Sequence, residues 1–341
     1  MTARKQRILS APLVVNWSLS YACNFNCQHC YSRSERSEEL DTERIVEAGR
    51  RLAGAGVLFV NFGGGEPLLR KDLCEVTRQL SALGLSCSMN SNGWLLDGGL
   101  AGRLKEAGFT SIGLSLDSHL PAVHDEFRNR PGSYDRVIAA AGHVTGGGVK
   151  LTLSTVISRM NAGDLEAIVE RARSLGAAQL FLHNFKCSGK GFENREELDL
   201  YPWEWKEFYR RALAVATEEK EIEISFDDPI LASLKTGGSN GGTTGSGCGK
   251  LSLHMRPNGD LTPCGFIPLV LGNILENDFA DVWKNSPVLA AMRQKTATGK
   301  CSGCGHYSDC LGGCTARAYA VTGDLNAPDP HCWVGEEEPA P

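Results

Sequence analysis

No stretch of this chain is apolar for long enough to cross a bilayer, and the residues ahead of Cys23 lack the basic, apolar and small-residue succession of a secretory signal. Export and membrane binding are therefore not expected, and a cytoplasmic location is. Excess positive charge is missing as well. The formal net charge is -5, which gives no electrostatic basis for holding nucleic acid. With 341 residues, 42% of them hydrophobic and 22% charged, the chain has ordinary globular composition and room for one large domain plus a smaller one, so it has no need of disulfide staples.

Cysteine is what the chain has in excess. Thirteen of them in a chain without an export signal point to metal, because a reducing compartment gives little reason to keep thiols for disulfides. Three fall at 23, 27 and 30, and seven at 248, 264, 301, 304, 310, 314 and 332. Cys74, Cys87 and Cys187 stand alone and read as small buried apolar side chains.

Between residues 12 and 226, short apolar runs alternate with longer amphipathic ones. "PLVVNWSLS" reads as a strand. "DTERIVEAGRRLAGAG" reads as a helix capped by Asp41 and ended at Gly54 or Gly56. "VLFVNF" is a continuous apolar run, the mark of a strand buried on both faces. Further strands are expected at 85–90, 111–116, 149–157 and 178–184, with helices at 70–82, 97–107, 120–146, 162–175 and 202–219. Six strand-helix units predict an α/β fold with a parallel sheet, either doubly wound or a partial barrel, whose site lies at the carboxyl ends of the strands. The glycine-rich stretch 236–247 reads as part of a linker, 227–247, ahead of a small cysteine-rich domain, 248–335. Residues 1–11 form an N-terminal extension, and 336–341 read as a disordered tail.

"SYACNFNCQHCYS" places Cys23, Cys27 and Cys30 in a loop after the first strand. Two thiols could make a disulfide, and four could close a zinc site or ligate every iron of a cubane cluster; three leave one position open. The C-x3-C-x2-C spacing, there in a strand-helix repeat, resembles the radical S-adenosylmethionine (SAM) superfamily. That resemblance implies a partial (β/α)6 barrel, a 4Fe-4S cluster with an open iron chelated by SAM, and reductive cleavage of SAM to a 5'-deoxyadenosyl radical that abstracts hydrogen from substrate. It further implies SAM contacts from the GGGEP segment through Gly64, Gly65, Glu66 and Pro67, with Glu66 anchoring the amino group. Asn92 of "SNG" and Ser115 and Asp117 of "SLD" would contact the ribose and methionine parts. Arg128, or Arg130 in its place, would pair with the cofactor carboxylate, and His29 would lie close to the adenine.

The tail, C-x2-C-x5-C-x3-C in "CSGCGHYSDCLGGC" with Cys248 and Cys264 before it and Cys332 after, resembles the SPASM domain, which binds two auxiliary 4Fe-4S clusters. A zinc ribbon is the alternative use of such pairs. By the resemblance, Cys301, Cys304, Cys310 and Cys332 would hold one cluster, and Cys248, Cys264 and Cys314 the other. Seven cysteines are one short of two complete ligand sets, so the second cluster either keeps an open iron or takes a non-cysteine ligand such as His254.

A further absence narrows the branch. Sulfatase-maturing relatives carry an acidic residue directly after the cysteine that corresponds to Cys264; here it is Gly265. "NFGGGEP", "LGNILENDFADVWKNSP" and "APDPHC" look like segments of the mycofactocin maturase group, which decarboxylates and crosslinks the end of a small peptide. Related enzymes decarboxylate small metabolites such as sugar nucleosides or tetrapyrrole precursors. The short span before Cys23 predicts no fused peptide-recognition domain, so a peptide substrate would need a separate leader-peptide-binding protein, and a small molecule would not. A flavodoxin- or ferredoxin-type reductant is implied for either. In "HNFKCSGKG", Lys186 or Lys190 could face an anionic substrate.

Overall fold

A computed structural model of the chain describes residues 8–33, 35–234 and 245–336. Residues 235–244 of the expected linker, the start of the N-terminal extension and nearly all of the expected tail lie outside the described residues.

The sheet is built from β1 (Val14–Ser20), β2 (Phe59–Gly64), β3 (Ser86–Ser91), β4 (Phe109–Ser115), β5 (Lys150–Val156), β6 (Gln179–His183) and β7 (Glu223–Phe226), which lie side by side in chain order and run parallel. An order that never reverses has no switch point, so the sheet is singly wound and is the partial barrel rather than the doubly wound alternative. The chain adds a seventh parallel strand, β7, to the six read from periodicity. β8 (Ser252–Met255) then pairs parallel with the free edge of β1, and β9 (Asp260–Thr262) and β10 (Gly272–Asn273) extend the same sheet antiparallel. The strands that open the cysteine-rich region therefore continue the barrel sheet.

Alternation along the strands explains the curved architecture. In β1, Val15, Trp17 and Leu19 are buried beneath the helices, and so are Val60 and Phe62 of β2 and Cys87 and Met89 of β3. The opposite face carries Asn16, Asn61 and Ser88, joined by hydrogen bonds from Asn61 to Asn16 (3.3 Å) and from Ser88 to Asn61 (3.0 Å). "VLFVNF" is thus apolar on one face only: Phe59 is 47% exposed, at the end of β2 away from the site. A polar inner face suits a concave wall that receives a polar ligand.

Helix Thr42–Ala55 begins where the Asp41 side chain accepts from Arg44 N and ends at Gly56, whose φ is 94°. The expected helix 120–146 is two, Pro121–Arg128 and Ser133–Gly146. Asn129 stops the first in a left-handed conformation, and Pro131 disfavours helical geometry in the residue before it. Among the described residues, no helix is long and apolar enough to cross a membrane.

Candidate functional site

The loop carrying Cys23, Cys27 and Cys30 leaves the carboxyl end of β1 and is fastened to the turn after β2. Gly65 N donates to Ser20 O (2.7 Å) and Glu66 N to Ala22 O (2.8 Å). Only glycine permits this approach: a Cβ on Gly65 would stand 2.0 Å from Ala22 O, and Gly64 adopts φ 97° with its Cβ position 2.5 Å from Ser20 O. Segments that follow β6 hold the loop from the other side, through Lys190 N to Cys30 O (3.0 Å) and Asn194 Nδ2 to Gln28 O (2.8 Å).

Glu66 is buried beside Pro67, and its carboxylate accepts from Ser91 Oγ (2.8 Å), Asn92 N (2.8 Å) and Leu68 N (3.1 Å). Burial pushes its carboxyl up, against the pull of these donors. Three donors leave a carboxylate with acceptor capacity to spare. Asn92 reaches back to Asn24 Oδ1 (2.8 Å) in the cysteine loop, so the third strand end is tied to the first.

Ser115 ends β4 half-buried, and Asp117 just beyond is buried. Asp117 accepts from Arg128 Nε (2.5 Å) and Val156 N (3.0 Å). Burial would raise its carboxyl, but Arg128 and the nearby His29 and His124 outweigh it and hold it low. Arg128 also brings Nη1 to 4.0 Å from Cys27 Sγ. Burial raises the Cys27 thiol to about 11, with Arg128 opposing. Arg130 stacks over Trp94 instead, 4.3 Å from the ring centroid. His29 stacks on Phe127 at 4.3 Å, and burial holds its imidazole down at about 3, with Nδ1 buried and without a hydrogen-bond partner.

In the tail, Cys301, Cys304, Cys310 and Cys332 line one small cavity together with Tyr307, Gly312 and Gly313. Backbone N–H groups of Gly312 and Gly313 point at the Cys310 thiol. Cys248, Cys264 and Cys314 form the second group. A hydrogen bond shared by Cys248 and Cys264 favours the thiolate at Cys248 and the thiol at Cys264. His254 is buried with both ring nitrogens engaged, Nε2 to Ser18 Oγ and Nδ1 to Thr262 Oγ1, each at 2.9 Å. It bridges β1, β8 and β9 and has no nitrogen left to complete a ligand set, which corrects its candidacy.

Lys186 was read from "HNFKCSGKG" as a group that could face an anionic substrate, whereas Asp227, Asp228, Arg317 and Asp329 were not legible in the motifs. Lys186, at the carboxyl end of β6, bonds Asn184 Oδ1 and lies 5.9 Å from the Phe266 ring, which packs on Tyr31 at 4.7 Å. Burial would raise Asp227, but Lys186 and His183 hold its carboxyl well below the usual range. The adjacent acids Asp227 and Asp228 directly after a strand were the signal that could have marked this end of the barrel. Arg317, fully buried, pairs with Asp228 (2.8 Å) and Asp329 (2.6 Å) and so fastens the tail to the segment after β7. Cys187 is buried, as expected of a packing cysteine, yet its thiol donates to Asp199 (3.3 Å), which also meets His331 Nε2 (2.7 Å) beside Cys332.

Residues 17–172 match the radical SAM superfamily, and residues 248–305 match the iron-sulfur cluster-binding SPASM domain. The chain is 32% identical to mycofactocin maturase MftC of Mycobacterium tuberculosis, over 98% of this chain and 86% of that protein. It is 29% identical to an AdoMet-dependent heme synthase of Methanosarcina barkeri, over 95% and 97% of the respective chains. Streptococcus suis SuiB, solved bound to the precursor peptide SuiA, shares the fold at TM-score 0.79 and 19% identity, over 94% of this chain and 76% of that one. The chain belongs to the radical SAM superfamily and, with its SPASM region, is an enzyme of that class, using S-adenosylmethionine, a 4Fe-4S cluster and auxiliary iron-sulfur clusters.

Proposed function

We propose that this enzyme oxidatively modifies a ribosomally made peptide near a carboxylated terminus, by decarboxylation or crosslinking. The observation that carries the reading is the likeness to mycofactocin maturase over 98% of the chain, which spans the barrel and the cysteine-rich tail together.

The donor sets fit the groups the class requires. Cys23, Cys27 and Cys30 would hold the radical SAM cluster: Phe25 N donates to Cys23 Sγ (3.4 Å) and Arg128 stands by Cys27, as an anionic cluster needs. Gly64, Gly65, Glu66, Pro67, Asn92, Ser115, Asp117, Arg128 and His29 would receive SAM. When bound, cluster and cofactor supply a hydrogen-abstracting radical. Glu66 offers its remaining lone pairs to an ammonium. Arg128, fixed by Asp117, keeps N–H donors free for a carboxylate. His29 stays neutral and presents a flat ring. Cys301, Cys304, Cys310 and Cys332 would hold one auxiliary cluster, and Cys248, Cys264 and Cys314 another, as a path for the electrons removed from substrate. Lys186, at the barrel mouth between the two cysteine groups, offers an ammonium to the substrate carboxylate. In this reading the barrel is 12–226 and the auxiliary domain 248–335, acting in the cytoplasm with a leader-peptide-binding protein and a flavodoxin- or ferredoxin-type reductant.

The likeness to a heme synthase over 97% of that protein favours a second reading, oxidation of a small carboxylated metabolite. Anaerobic incubation of the reconstituted enzyme with SAM, dithionite and either a short peptide encoded beside its gene or a carboxylated tetrapyrrole separates the two. Peptide-dependent 5'-deoxyadenosine with a loss of mass from the peptide is expected. Turnover of the tetrapyrrole alone would replace the peptide reading with the second.

A further inference from the structure

Buried cations in the cysteine-rich region are matched unequally. Arg317 meets Asp228 and Asp329, and Lys186 has Asn184 and the neighbouring Asp227. Lys295, only 9% exposed, has no hydrogen-bond partner for Nζ. An ammonium removed from water with nothing to accept its protons is strongly unfavourable, so its retention implies an anion that completes the site.

The surroundings say which anion. Asp329 is nearby, but its oxygens already accept from Arg317, Cys314 N (2.6 Å) and His331 N (3.0 Å). Burial pushes the Lys295 ammonium toward its neutral form, and besides Asp329 the groups that oppose this are Cys314 of the other cysteine group and then Cys301 and Cys310. A Cβ on Gly312 would lie 3.5 Å from Lys295 Nζ and 3.7 Å from Cys301 Sγ, so the missing side chain leaves the ammonium and that sulfur facing one open space. The Lys295 backbone is anchored to the same wall: Tyr307 Oη donates to the Lys295 carbonyl O (2.8 Å), and Tyr307 lines the cavity shared by the four cysteines.

We propose that Lys295 is the counter-cation of the iron-sulfur cluster held by Cys301, Cys304, Cys310 and Cys332 and raises that cluster's reduction potential. The inference rests on the ligand assignment proposed above. Four thiolates make a cubane cluster anionic, and reduction adds a further negative charge. A fixed cation beside it stabilises the reduced form more than the oxidised one, the more so away from water. Lys295 is a positioning residue for electron transfer and touches no substrate. Its effect makes this cluster a better acceptor for electrons leaving the substrate.

The test is a redox titration of the reconstituted full chain, followed by electron paramagnetic resonance, for wild type, K295M, K295Q and K295R. With iron content unchanged, K295M and K295Q should lower one auxiliary cluster's reduction equilibrium constant about tenfold or more, a shift of about 59 mV to more negative potential. K295R should recover most of it. A lysine with only a packing role would change the melting temperature and leave the potential in place, and that result overturns the proposal. Where the neutral variants lose iron that K295R retains, the need for charge is upheld as cluster retention; equal loss in all three overturns it. C310A tests the ligand assignment separately, since full iron and unaltered signals in that variant would sink the assignment itself.

Discussion

The loop carrying Cys23, Cys27 and Cys30 is pinned by backbone and side-chain hydrogen bonds from the ends of β1, β2 and β3, whereas the seven later cysteines sit on short helices and turns. The first region takes its shape from a sheet held by its own strand pairing. The second has few apolar contacts of its own, its separate core consisting of Cys264, Ile267, Met292, Cys314 and Ala316. Its order is expected to depend on metal, together with Arg317 and the strands β8 to β10 that join the sheet. Preorganisation thus stands where a small cofactor must be gripped, and metal-dependent order where clusters need only be enclosed.

Removing thiols from each region breaks that comparison most severely. The triple replacement of Cys23, Cys27 and Cys30 by Ala should lose about four irons and all SAM cleavage, yet melt within a few degrees of wild type. Replacing Cys301 and Cys310 by Ala should lose a similar amount of iron but destabilise the tail, seen as proteolysis beyond residue 245. Iron analysis, 5'-deoxyadenosine assay and limited digestion read the difference. A collapse of the barrel in the triple variant would show that the first loop also needs its metal to fold.

The second break concerns the attachment. Arg317→Met leaves the buried carboxylates of Asp228 and Asp329 facing each other without a cation and should cost about 3–5 kcal/mol in urea unfolding. Arg317→Lys should recover little, because the two-pronged contact of Nε and Nη2 with Asp329 needs a guanidinium. A loss below about 1 kcal/mol would mean the tail is held chiefly by β8 and its neighbours.

What could be read in the sequence follows from how far apart the partners lie. The three-cysteine loop, GGGEP and SLD are contiguous, and the strand-helix rhythm is local, so a parallel sheet with its site at the carboxyl end was within reach. The choice of partial barrel over doubly wound sheet came only from the family resemblance of those motifs. Arg317 and Asp228 are 89 residues apart, and Ser18 and His254 are 236 apart. No periodicity records such pairs. β8 has four residues and β9 three, too short for alternation to declare them, so the cysteine-rich region read as separate from the sheet it extends. Lys295 carries no motif at all; only burial without a partner singles it out.

The mildest break lies at the seam itself, where β8 meets β1. Thr262 Oγ1 donates to Cys264 O (3.1 Å), so its oxygen accepts from His254 Nδ1–H, and Nε2 is left to accept from Ser18. Burial holds this neutral imidazole down at about 3, against about 6.5 in an unfolded chain. Because the unfolded chain takes up the proton first, the contribution of His254 is complete above about pH 6.5 and declines as pH falls toward the folded value. Between pH 7 and 5.5 the decline should be about 1 kcal/mol, and half-buried His29 and buried His124 slope the same way. His254→Gln should be less stable at pH 7 yet lose less over that interval, by about this amount, in urea titrations at each pH. An unchanged slope would mean that the imidazole is already protonated when folded, and that the seam between barrel and tail holds a charge where its hydrogen bonds place none.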